Sequence, residues 1–264
     1  NINNVRKEGM MKQILIRADD LGFSTGVNQG IEKTLQNGLV KSVGLMTNMD
    51  EAEKGVRMIT QYDVCIGQHT NICVGKPLTD PKLIPSICQE NGEFKSSKEY
   101  RMAKMEGREI VNLDEVILEI EAQYQRFKIL TGTEPAYFEG HAVSSDNFFK
   151  GLEIVAHRHN LPYLEMKIGK PVVFRHTVLN SHMPGDFKAY EDNPFIVIED
   201  AVRNAKDGEC EMMVFHPGYL DSYLLSHSSM TEIREKECEM LCSRAAKDWL
   251  DQQDIRQVTY KDLC

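Results

Sequence analysis

Short apolar runs alternate along this chain with segments whose apolar residues recur every three or four positions. Ile14-Leu15-Ile16 is a run of the kind that fills a buried strand. A helical pattern follows from Val27 to Asn37, with Gly38 placed as its C-terminal stop. The same alternation predicts strands over 40–46 and 64–69 and a helix over 51–61. The clearest helix covers 113–130, where Leu113, Val116, Ile117, Ile120, Tyr124, Phe127 and Leu130 form one apolar stripe. Asn112 or Asp114 can cap its start, and Gly132 lies just past its end. Further strands are expected over 137–141, 161–166, 171–174, 212–215 and 255–260. Helices are expected over 148–157, 193–205 and 231–250.

Residues 71–112 break this rhythm. Pro77, Pro81, Pro85 and Gly92 interrupt any periodic pattern, and an irregular connection of that length suggests a lid or a wall for a substrate.

Seven or eight strands separated by helices imply parallel strands joined by right-handed crossovers. The length of 264 residues suits one α/β domain, a distorted or incomplete (β/α) TIM-like barrel, since such barrels run to about 250 residues. An open doubly wound sheet lacks support, because neither a GxGxxG turn nor a GxxxxGK[ST] phosphate loop is present. Residues 11–264 are expected to form the barrel. Met10 or Met11 is a natural start, so residues 1–10 read as an N-terminal extension or an expression remnant.

Forty acidic against 31 basic residues give a net charge of −9. That balance argues against nucleic acid and against an anionic membrane surface as partners, and leaves a neutral small molecule open. The N-terminus is polar with no apolar signal core, and no stretch approaches the ~18 apolar residues of a membrane span. Seven cysteines without a CxxC pair suit a reducing compartment, so the expected location is cytoplasmic. Cys238 and Cys242 read as two packed thiols rather than as a metal pair. Composition is silent on assembly; a homodimer is compatible with it.

The candidate chemistry lies where expected strands end, the face on which barrel active sites are built. Arg17-Ala18-Asp19-Asp20-Leu21-Gly22 closes the first strand. Two adjacent carboxylates there are either a metal ligand beside a base or a turn with an N-capping Asp. Gly67-Gln68-His69 closes the third strand, Phe138-Glu139-Gly140-His141 a later one, and Val214-Phe215-His216-Pro217-Gly218 another. Each histidine alone reads more readily as a hydrogen-bonded structural side chain than as a ligand, but a barrel brings all these ends together. One carboxylate and two imidazoles with an open position make a mononuclear hydrolytic metal site, for Mg2+ or Zn2+, with imidazole favouring Zn2+. Arg234 and Glu237, three apart on an expected helix, read as a surface pair. Arg17 either offsets the Asp pair or faces outward, and Asn28 and Gly30 serve helix packing. His176 and His182 fall in an expected loop.

These motifs resemble the YdjC-like, ChbG-type family of carbohydrate deacetylases. The likeness covers Ile16-Arg17-Ala18-Asp19-Asp20-Leu21-Gly22-Phe23-Ser24, Val27 to Ile31, Gly67-Gln68-His69 with Gly75-Lys76-Pro77-Leu78-Thr79, Pro135 to His141, and His216-Pro217-Gly218-Tyr219-Leu220-Asp221. It runs in order from about Met11 to the C-terminus. The resemblance implies a distorted (β/α) barrel that removes acetyl groups from N-acetylated sugars with one divalent metal. It implies Asp20, His69 and His141 as metal ligands, Asp19 as the base that activates water, and His216 as the acid for the leaving amine. The chain departs from many relatives after His141, where a His-rich run is replaced by Ala142-Val143-Ser144-Ser145. Specificity for chitooligosaccharides is therefore not carried over, and no substrate-binding residue is assigned. The competing expectations are a metal-dependent amidohydrolase or isomerase acting on another small metabolite, and a sugar-binding protein without turnover.

Overall fold

The computed structural model describes residues 11–165, 167 and 169–263. The expected extension over 1–10 lies outside the described residues, as does Met166 at the end of the expected 161–166 strand. β1 (Gln13–Leu21) leads to α1 (Thr25–Asn37), β2 (Ser42–Leu45) to α2 (Ala52–Ile59), and β3 (Cys65–Thr70) opens the long connection. That connection carries α3 (Ser97–Met105) and ends at α4 (Leu113–Thr131). β4 (Phe138–Gly140), α5 (Asp146–Arg158), β5 (Val172–Phe174) and β6 (Thr177–His182) follow. The chain then runs through α6 (Phe187–Asp192), α7 (Ile196–Asn204), β7 (Glu209–Phe215), α8 (Ser222–His227), α9 (Glu232–Leu241), α10 (Arg244–Asp251) and β8 (Arg256–Gln257).

The sheet order is β4-β3-β2-β1-β7-β6-β5, with β8 also on β1. All pairings are parallel except the β5–β6 hairpin. Among the described residues no ladder joins β4 to β5. Yet Tyr137 at one edge and Val172 and Phe174 at the other share one apolar cluster with Leu15, Leu179 and Met212. The sheet therefore curls on itself without closing, an incomplete barrel of a single α/β domain. β1 is buried on both faces. Ile14, Ile16 and Ala18 pack outward with Val27 and Ile31 of α1, while Leu15 packs inward.

Three local expectations change. The 71–112 segment is largely packed: Ile72, Ile84, Ile87, Phe94, Tyr100 and Val111 form a satellite core with α4 and α5. Its helix α3 is fixed by a reciprocal Ser96–Glu99 capping box. The helix expected over 231–250 breaks at Cys242, because Ser243 accepts from the Ala246 amide and starts α10 afresh. His182 lies in β6, whose register against β7 runs from Val178 to His182; the expected loop is a strand. The α4 caps are as expected, with Asn112 accepting two amides and Gly132 at φ 69°. No helix among the described residues is long and apolar enough to cross a membrane.

Candidate active site

A bulge in β1 builds the centre of the site. Ala18 pairs with Val43 and Leu21 with Leu45, so Asp19 and Asp20 together oppose Gly44 alone. A regular strand would send adjacent side chains to opposite faces. Two residues against one breaks that alternation, and Asp20 adopts φ 77° to do so. The left-handed backbone costs about 1–2 kcal/mol for a residue with a side chain, and Asp is among those that tolerate it. Both carboxylates are buried. The following turn is locked by Asn28, whose Oδ1 accepts from the Gly22 amide at 2.7 Å. Asn28 and Gly30 do serve packing, since a Cβ on Gly30 would sit 2.4 Å from the Gly218 Cα.

β2 separates β1 from β3, and the site exists because β2 has no side chain at that level. A Cβ on Gly44 would fall 2.3 Å from Asp19 Oδ1 and 3.1 Å from the His69 Cβ. Across this gap His69 Nε2 comes within 3.8 Å of Asp19 Oδ2 and 3.4 Å of Asp20 Oδ1. His141, one residue past β4, places Nδ1 3.2 Å from Asp20 Oδ1 and 2.9 Å from His69 Nε2. His216 follows Phe215, the register partner of Ala18, which brings it beside Asp19. All five expected residues therefore meet at one end of the curled sheet.

Two sets of side chains have the spacing to hold a cation: Asp20, His69 and His141, or Asp19, His69 and Glu139. The first fits better. Its three ligand atoms are 2.9, 3.2 and 3.4 Å apart, close to the ~3.3 Å edge of a tetrahedron with bonds of about 2.0 Å. Asp20 Oδ1 is buried without a hydrogen bond, an orphaned acceptor that calls for a charge. His69 Nδ1 contacts Glu139 Oε1, an arrangement that fixes the tautomer and aims Nε2 at the centre. The second set also has an orphaned oxygen, Asp19 Oδ1, but its Asp19 Oδ2 and Glu139 Oε2 both face one guanidinium. Arg17 lies 2.6 Å from Asp19 Oδ2 and 3.5 Å from Glu139 Oε2, so a cation there would face a guanidinium.

Charges are balanced by two buried arginines. Arg17 points inward, donates to Tyr260 at 3.0 Å and pairs with Asp19. Arg234 of α9 pairs with Asp20 Oδ2 at 2.7 Å. Arg234 and Glu237 are both buried, so the expected surface pair is wrong: α9 turns that face onto the site. Burial alone would raise Asp19, but Arg17 and then His69 hold it below the usual carboxylate range. Burial likewise opposes ionisation of Asp20, and His141 and Arg234 hold it well below that range. Burial lowers both the His69 and the His141 imidazole, but neighbouring carboxylates outweigh it. His69 is pushed well above its ordinary value by Asp19 and Glu139, and His141 up to about 9 by Asp20. His216 goes the other way, down to about 4, through burial and Arg234 despite Asp20.

Sequence reasoning overlooked Glu139, Gly44, Arg234 and Glu237 as parts of the site. Glu139 had a signal, two residues before His141 at the same strand end. The others had none, because each matters only through a residue distant in sequence.

A family model described as YdjC-like protein matches residues 13–252. A carbohydrate deacetylase from Geobacillus stearothermophilus is 30% identical over 96% of this chain and 99% of its own length. A chitooligosaccharide deacetylase from Citrobacter koseri is 27% identical over 96% of this chain and all of its own. A crystal structure from Enterococcus faecalis, named as a candidate cellobiose-phosphate cleavage protein, superposes with a TM-score of 0.79 at 20% identity. It covers 95% of this chain and 98% of that one, and so shares the fold.

Proposed function

The chain belongs to the YdjC-like family, and on that premise we propose that it is a metal-dependent carbohydrate deacetylase, a hydrolase that cleaves the N-acetyl group from a sugar or short oligosaccharide. The observation that carries this reading is the orphaned Asp20 Oδ1, with His69 Nε2 and His141 Nδ1 within 3.4 Å and Glu139 behind His69. Two imidazoles and one carboxylate favour Zn2+ over Mg2+. When bound, such a cation polarises the amide carbonyl, acidifies water and stabilises developing oxyanion charge.

The chain's own residues do the rest. Asp20, His69 and His141 would hold the cation. Asp19, held ionised by Arg17 and outside that ligand set, takes the proton from the attacking water. The water oxygen bonds the acetyl carbon, the C–N bond breaks, and acetate and a free amine result. His216 is neutral at rest; negative charge developing on the substrate beside it raises its proton affinity, so it takes up the proton that Asp19 removed from water and passes it to the leaving nitrogen, which restores Asp19 as the carboxylate. An ionised base beside the ligand set favours a catalyst over a sugar binder, which needs none. Residues 11–264 would act as one catalytic domain. The six free cysteines among the described residues suit a reducing cytoplasm.

The test couples metal analysis of the purified protein to acetate release from N-acetylated mono- and oligosaccharides. Zinc at one per chain with acetate release, lost in Asp19→Asn while zinc stays, is the expected result. Zinc without release from any sugar would sink the substrate assignment, and unchanged turnover in Asp19→Asn would remove the base.

A further inference from the structure

Outside the residues already given roles, the most heavily engaged buried charges belong to α9. Arg234 makes three contacts at once: Asp20 Oδ2 at 2.7 Å, the Met230 carbonyl at 3.0 Å through Nε, and the His216 carbonyl at 3.4 Å through Nη1. One turn on, Glu237 accepts from the His216 amide at 2.5 Å and from the Tyr190 hydroxyl. The guanidinium also lies over the Phe23 ring, 5.6 Å from its centroid. Both α9 residues are buried.

We propose that Arg234 is a positioning residue that occupies Asp20 Oδ2, leaving Oδ1 alone for the metal, and that α9 thereby ties the ligand strand to the His216 segment. The inference rests on the metal-centre reading above and adds what sets the ligand's geometry. Asp20 needs such a restraint because its two oxygens are chemically equivalent and rotation about the Cβ–Cγ bond would otherwise exchange them. The 2.7 Å ion pair to Oδ2 removes that freedom while Oδ1 faces only the His69 and His141 ring nitrogens. A lysine cannot reproduce this, since a single ammonium lacks the planar fork that reaches a carboxylate and two carbonyls together. Glu237 holds the opposite end of the same segment through the His216 amide, so both sides of the reaction centre are referred to one helix.

Charge and position predict opposite outcomes. Removing a positive charge next to a cation site tightens cation binding by Coulomb's law, whereas releasing the ligand weakens it. Zinc affinity is measured by competition with a chromophoric chelator on the full chain, for wild type, Arg234→Gln and Arg234→Lys, with folding checked by circular dichroism. The expected result is a 10- to 100-fold loss of affinity in Arg234→Gln, the range typical of residues supporting a ligand from behind, with no rescue by lysine. Unchanged or tighter zinc binding in Arg234→Gln, or full rescue by Arg234→Lys, overturns the proposal. A zinc-loaded crystal structure of the unaltered protein needs no variant to fold. It should show Asp20 ligating through Oδ1 with Oδ2 on Arg234, and a bidentate Asp20 overturns the proposal equally. Should wild type take up no zinc, the metal-centre reading fails together with this inference; zinc uptake that is indifferent to Arg234 defeats this inference alone.

Discussion

Replacing Gly44 by alanine tests the site with the smallest possible change. The new methyl carbon would lie 2.3 Å from Asp19 Oδ1, and ordinary contact begins at 3.4 Å. Asp19 cannot swing away freely, because its other oxygen is held by Arg17 at 2.6 Å within a fully buried pair. Its carboxylate must therefore retreat by about 1 Å, a displacement of the size that costs roughly 100-fold when it affects a reacting group. The 3.1 Å approach to the His69 Cβ asks only for a few tenths of an ångström, so the ligand set is disturbed far less. Overpacking of this kind destabilises by about 1–3 kcal/mol, and for a chain of this size each kcal/mol shifts Tm by about 2–4 °C. Acetate release, zinc affinity and thermal unfolding should thus separate: turnover down about 100-fold, zinc retained, and a cooperative melt about 2–12 °C lower. Full turnover would refute the close-approach argument. Loss of zinc in step with turnover would place Asp19 among the ligands and favour the Asp19–His69–Glu139 set instead.

Three further outcomes follow from the same geometry. Glu139→Gln should weaken zinc binding about 10- to 100-fold by removing the charge behind His69, and an unchanged dissociation constant would mean that His69 is oriented by something else. Zinc should raise Tm more at pH 9 than at pH 6. His69 is drawn well above its ordinary value and His141 up to about 9 in the metal-free protein, so protons compete with the cation until the pH passes that range; a gain independent of pH, read by scanning calorimetry, would exclude both imidazoles as ligands. His216→Ala should slow amide cleavage more than cleavage of an activated acetyl ester, whose leaving group needs little protonation, and equal slowing would count against the acid role.

The places where the sequence was read correctly and where it misled share a physical cause. The β1 run, the α4 stripe and its caps depend on residues two to four apart, and they form where the pattern puts them. The break between α9 and α10 was missed because Ser243 in mid-pattern reads as an ordinary polar position, whereas its hydroxyl captures the Ala246 amide. β6 was missed because its residues are only half buried, so no apolar run announces it. The proline-rich 71–112 segment looked like a loose wall because its apolar residues follow no period. They nonetheless find partners on α4 and α5, where packing replaces periodicity.

What the sequence determined by itself was the alternation of strands and helices, hence the parallel curled sheet, and the fact that its Asp, His and Gly motifs fall at one end of that sheet. Local hydrophobic period and strand polarity are enough for both. Only the tertiary structure gives the two adjacent carboxylates different surroundings, Asp19 against Arg17 and Asp20 against Arg234 and His141. That difference comes from a bulge opposite Gly44 on the next strand, and from Arg234, which reaches Asp20 from 214 residues away. Selecting one oxygen of one carboxylate takes contacts at a few ångströms in three dimensions, and no pattern along a chain encodes a distance between residues that meet only when it folds.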